Sequence, residues 1–173
     1  MVEKDFLKHF DQVARVACRA ARMIPPDKLE MKPTPDMMSA KDLAAHIFLS
    51  EKALMKGART GEILHSDFEE AGRETAAMGT PEEIAAYGEK IHAETNAWVA
   101  GATEADYAKP VQAFWGMTMT PQMCVMSSYE HMVHHRGQLC VYLRLMGLVP
   151  PDVPPDQYAN DERPFISIAQ TSI

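Results

Sequence analysis

The chain has 173 residues, 46% of them apolar and 24% charged, as expected of one globular domain that buries a sizeable core. Its formal net charge of −7 argues against nonspecific binding to DNA or to an anionic membrane surface. No stretch nears the roughly 20 apolar residues that span a bilayer.

The opening MVEKDFLKHF lacks a signal-peptide apolar core. Cys18, Cys124 and Cys140 are odd in number and form no C-x-x-C pair. Cys124 and Cys140 fall on one predicted helix, where their sixteen-residue spacing puts them roughly 24 Å apart, too far to bridge. Three buried thiols in a reducing, cytoplasmic setting are expected, with no nucleic-acid or membrane partner.

The first predicted helix covers residues 3–24, with Phe6, Phe10, Val13, Ala17, Ala20 and Ile24 at helical spacing. Pro25 and Pro26 forbid its continuation, and PPDKLEMKPTPDMM reads as a loop. The second helix covers residues 39–57. Ser39 is its cap, Asp42 stands in the capping-box position, and Gly57 or Gly61 marks its end. His46 shares a stripe with Leu43, Ile47 and Ser50. Residues 58–79 read as a polar crossover with some irregular helix.

The third helix, 80–101, opens on Thr80-Pro81-Glu82-Glu83, which supplies a cap, a proline at the first position and an acid at the third. KPVQAFWGMTMT then suits a short extended or hairpin-like piece. The fourth helix, 120–147, opens on Thr120-Pro121 and ends at Gly147, and a proline-rich tail occupies 148–173. Four amphipathic helices without an internal repeat predict an all-α four-helix bundle in a single domain, 1–173. Trp98, Trp115 and the thirteen methionines read as core and gap filling.

The unusual feature is HMVHHRGQLCVYLRLMG, His131 to Gly147. His131 and His135 are spaced i, i+4, so their rings project from nearly one face, the arrangement that lets two imidazoles reach one ion. Geometry alone also permits the His131–His134 pair. Gln138 and Tyr142 continue the polar stripe past His135. A metal ion, cross-helix hydrogen bonds or trapped water would each satisfy such a stripe, whose polar groups cost about 1–3 kcal/mol if buried unpaired.

His46 is the candidate third ligand, while His9, His65 and His92 read as surface or packing residues. Glu130 and Arg136 lie about 100° off the ligand face, and Arg136 is expected to pair with an acid on a neighbouring helix. Gly137 is expected to let a neighbouring helix approach. Asp42 suits either the cap or a contact orienting the His46 ring. Zincin, P-loop, dinucleotide-binding and nucleophile-elbow motifs are absent, and the single Glu62-Ile-Leu-His65 lacks the partner motif a di-iron site needs.

SAKDLAAHIFLSEKAL and YEHMVHHRGQLCVYLRLMGLVPP resemble the DinB/YfiT-like family of small helical metalloproteins. The resemblance rests on a histidine in the second helix, then H-x-x-x-H followed by R-G-Q and a leucine-rich stretch. It implies that His46, His131 and His135 are the metal ligands, selecting His135 over His134. It also implies a divalent ion, zinc or nickel, and a homodimer. The activity implied is that of a metal-dependent thiol-cofactor S-transferase or hydrolase acting on a small molecule, such as a low-molecular-weight thiol. Gln138, His134 and Tyr142 are the candidate acid–base residues. The alternative is a non-catalytic, metal-binding or stress-related dimeric bundle.

Overall fold

The computed structural model describes residue 2 and residues 4–151. Among them are six α-helices and three short strands: α1 (Lys4–Arg22), α2 (Ala40–Thr60), β1 (Glu62–Ile63), α3 (His65–Ala76), α4 (Pro81–Gly101), α5 (Glu104–Tyr107), β2 (Val111–Ala113), β3 (Thr118–Met119) and α6 (Pro121–Leu145). The expected tail lies mostly outside the described residues.

The four long helices form the predicted bundle. α2 packs most extensively on α6 and α1 on α4, with α4 against α2 and α6 against α1 closing the square. Their apolar stripes meet in one core that includes Phe10, Ile47, Phe48, Met132, Leu139 and Leu143, all fully buried.

The punctuation works as its chemistry requires. Ser39 Oγ accepts from the Asp42 amide at 3.0 Å, satisfying one orphan donor at the start of α2. The Asp42 carboxyl itself is exposed, and no capping-box reciprocal bond accompanies the Ser39 cap. At the other end Gly61, the second of the two predicted stops, adopts φ 90° and returns its amide to Gly57 O, so the helix runs on to Thr60. Thr80 and Glu83 form a reciprocal box on α4, and Thr120 caps α6 through the Met123 amide.

The crossover is more regular than its polar sequence suggests. α3 occupies twelve of its residues, tied to α2 by Lys52–Glu74 and Lys56–Asp67 ion pairs. Its apolar side is thin, which hid it: Ala71 is fully buried and Phe68 packs on the core, where a stripe of larger residues would have been legible. The hairpin expected in KPVQAFWGMTMT is present as β2 and β3, antiparallel with Val111 opposite Met119. Its partner β1 was not foreseen. Glu62–Ile63 pairs with it in parallel, too short to show any alternation in sequence. Phe114, Trp115 and Met117 on the hairpin stand 43–51% exposed, so Trp115 is not the core residue its size implied. Met37, Met38, Met123 and Met126 are exposed as well.

Gly88 on α4 marks the tightest helix contact. A Cβ there would lie 2.5 Å from the ring of Phe48, which is fully buried and has nowhere to move. Gly88→Ala is expected to cost about 1–3 kcal/mol by overpacking, seen as a lower urea midpoint with an unchanged slope.

Candidate metal centre

α2 and α6 run antiparallel. β1, just after α2, pairs with the hairpin just before α6, and at the opposite end the Tyr142 hydroxyl donates to the Met38 carbonyl at 3.0 Å. Between these two ties the rings of His46, His131 and His135 gather. Centroids are 4.7 Å apart for His46 with either partner and 4.3 Å for His131 with His135. One ring nitrogen from each lies within 4.8 Å of the other two, and all three residues are half-buried. Small ring rotations bring such nitrogens to the 2.0–2.1 Å bonds a transition-metal ion takes.

The electrostatics suit a cation. Burial, with the charge of His135, pushes His46 down to about 4. Burial and the neighbouring histidines push His131 down to about 3, and His135 is lowered chiefly by burial. At neutral pH all three rings are unprotonated, as ligation demands. His131 Nε2 is buried without a hydrogen-bond partner, and unprotonated it presents an orphaned lone pair that an ion would satisfy. Among the described residues no fourth histidine, cysteine or carboxylate joins the group. The residues therefore fit a divalent ion with a position left over for an exchangeable ligand.

The other candidates divide. His134 and Gln138 are exposed and joined to the cluster: His135 Nδ1–H donates to Gln138 Oε1 at 2.7 Å, and Gln138 Nε2–H donates to His134 Nε2 at 3.1 Å. Tyr142 is buried with its hydroxyl engaged at Met38, and burial raises its pKa. Glu130 is exposed, off the ligand face as expected. Arg136 departs from expectation. No acid pairs with it among the described residues, its Nη1 is buried without a partner, and burial lowers its pKa, because it faces Val13, Val16 and Tyr129 between α1 and α6. Nor does a helix approach Gly137; among the described residues nothing lies within 4 Å of where its Cβ would be. All three cysteines are buried and free, and burial holds each thiol above its ordinary range.

One polar cluster went unseen in sequence. His92 is buried, donates Nδ1–H to Glu51 at 2.9 Å and Nε2–H to Asp11 at 2.8 Å, while Asn96 donates to the same Asp11 oxygen at 2.6 Å. A ring that donates twice is an imidazolium. Burial opposes that charge, but Glu51 and then Asp11 more than offset it, and the His92 pKa is raised. The available signal was Glu51, an acid on the apolar stripe between Ile47 and Leu54.

Comparison with known proteins places the fold. No curated protein matches the chain in sequence. The solved structures that share the fold include a DinB-like protein from Bacillus subtilis, 25% identical, with a TM-score of 0.69 over 87% of this chain and 96% of that one. A DinB-like protein from Bacillus cereus is 21% identical, with a TM-score of 0.69 over 86% of this chain and 95% of that one. A mycothiol-dependent maleylpyruvate isomerase shares the fold at 14% identity, with a TM-score of 0.64 over 80% of this chain and 61% of its own. The sequence matches the DinB family over residues 1–165, and the chain belongs to that family.

Proposed function

We propose that the protein is a metal-dependent enzyme acting on a small molecule, with His46, His131 and His135 holding a divalent ion, zinc or nickel. The observation that carries this is the set of three unprotonated imidazoles within 4.8 Å of one another, with no fourth ligand among the described histidines, cysteines and carboxylates. A structural zinc site is usually closed by four protein ligands, whereas a catalytic one keeps a position open. When bound, such an ion acts as a Lewis acid that lowers the pKa of a coordinated water or thiol toward neutrality.

The chain's own contribution is to hold three lone pairs at one point, half-shielded from water, and to place His134 and Gln138 at the exposed rim. Tyr142 is committed to the Met38 carbonyl, which leaves His134 as the rim group able to carry a proton. The thiol named for the isomerase of the same fold supports a low-molecular-weight thiol as the small molecule, in S-transfer or in another thiol-assisted reaction. No described helix is long and apolar enough to cross a membrane, in keeping with a small-molecule enzyme working in the cytoplasm.

Elemental analysis of the purified protein, then thiol-transfer and hydrolysis assays with the identified metal restored, test this function. Dialysis against a chelator is expected to remove the metal and the activity while far-ultraviolet circular dichroism stays unchanged, because the bundle has its own apolar core. Unfolding on chelation would make the ion structural instead. A non-catalytic dimeric bundle is the second reading, favoured by Val141 and Leu145, 52% and 61% exposed on α6. Metal that resists exchange and a dimer lost on Leu145→Glu, by sedimentation, would support it.

A further inference from the structure

We propose that Gln138 is a positioning residue that fixes which nitrogen of His135 faces the metal site, with His134 serving as the anchor that holds the Gln138 amide the right way round. The proposal rests on the metal assignment above and adds a role for the two rim residues that does not involve proton transfer by Gln138.

The geometry leaves little freedom. Gln138 lies one helical turn beyond both histidines, at i+3 from His135 and i+4 from His134, so one side chain reaches both rings. Its amide has an end that only accepts and an end that only donates. The accepting Oε1 sits 2.7 Å from His135 Nδ1, so that nitrogen must carry the ring's proton. A neutral imidazole has one N–H, and the lone pair therefore falls on Nε2, the nitrogen left free for an ion.

Were the amide turned over, its NH2 would meet Nδ1, the ring proton would move to Nε2, and the cluster would lose one of its three donors. What prevents the turn is His134. The donating end of the amide meets His134 Nε2 at 3.1 Å, and that nitrogen accepts. An exposed histidine with no place among the ligands thus acquires a purpose, and the run His134-His135 followed by Gln138 becomes one unit. An amide does not titrate, so Gln138 is not the acid–base group its position in the stripe suggested.

Nitrogen NMR of the metal-free protein near pH 8, above the ordinary histidine range of about 6.5, reads the tautomer of His135 directly. The wild-type ring is expected in the Nδ1–H form, against the Nε2–H form that water favours. Gln138→Ala should return it to Nε2–H, and Gln138→Glu, whose carboxylate still accepts from Nδ1–H, should keep the wild-type signature. Zinc titration of the same proteins should show Gln138→Ala weaker by about tenfold or more, with Gln138→Glu close to wild type. Because residue 138 is exposed, both variants should fold. An Nδ1–H signature that survives in Gln138→Ala, or a zinc affinity that Glu does not restore, would overturn the proposal. If the tautomers behave as expected but the wild-type protein takes up no zinc, the metal assignment fails and the hold of Gln138 on the ring stands.

Discussion

His131→Ala and His135→Ala are each expected to lose stoichiometric metal, with affinity falling on the order of a hundredfold or more. Zinc sites of four ligands bind with about 10–16 kcal/mol, so each ligand is worth roughly 3 kcal/mol, and a site of three has none to spare. His134→Ala, one residue away, should keep stoichiometric metal, losing no more than the roughly tenfold expected of Gln138→Ala. The contrast follows from the geometry: nitrogens of His46, His131 and His135 gather within 4.8 Å of one another, while His134 is exposed, its ring packs edge-on against that of His135 at 4.7 Å, and it stays outside that group. Metal content by mass spectrometry after desalting checks both halves. A His134 variant without metal beside a His135 variant that retains it would reverse the ligand assignment. Protons should compete as well. With His46 pushed down to about 4, His131 to about 3 and His135 lowered as well, the folded rings stay neutral through the ordinary histidine range, and metal is expected to leave only as the pH falls toward 4.

Glu51→Ala is expected to be the most damaging single change away from the site, at about 3–5 kcal/mol. Removing Glu51 takes a fully buried partner from a His92 that is itself buried and leaves that charge to the partly exposed Asp11 alone. Replacing both, as Glu51→Leu with His92→Leu, should recover much of the loss, since apolar residues of similar volume are often neutral in place of a buried pair. The pH dependence has a definite sign. The folded-state pKa of His92 is raised, so the contribution is complete below the unfolded value of about 6.5 and fades as pH rises through the higher folded value. Urea unfolding across that range should show the wild type losing stability toward alkaline pH and Glu51→Ala losing less. Parallel curves would remove His92 as the cause.

Much of this was legible because it depends on residues near one another in sequence. Thr80-Pro81 and Thr120-Pro121 begin helices where they stand, and the i, i+4 pair at 131 and 135 converges as helical arithmetic requires. The third imidazole could be placed only by its stripe and by family resemblance, since nothing local in α2 says which helix it will face. What stayed hidden depends on partners distant in the chain. Asp11, Glu51 and His92 come from three helices, and His92 taken alone is an ordinary histidine beside Ile91. Arg136 was expected to find an acid, but the side of α1 that it meets presents Val13 and Val16. β1 exists because a two-residue segment leaving α2 lies alongside the hairpin, a pairing that no periodicity encodes.

The strand pairing after α2 and the Tyr142–Met38 bond fasten the two histidine-bearing rods to each other at both ends. A slip of one residue between them would shift the rings by about 1.5 Å, most of a coordination bond. The loops between α3 and α5 take no part in either tie, so they can lengthen, shorten or change charge while the three nitrogens keep their spacing. Diversification of substrate preference without rebuilding the ion's seat is what such an arrangement permits.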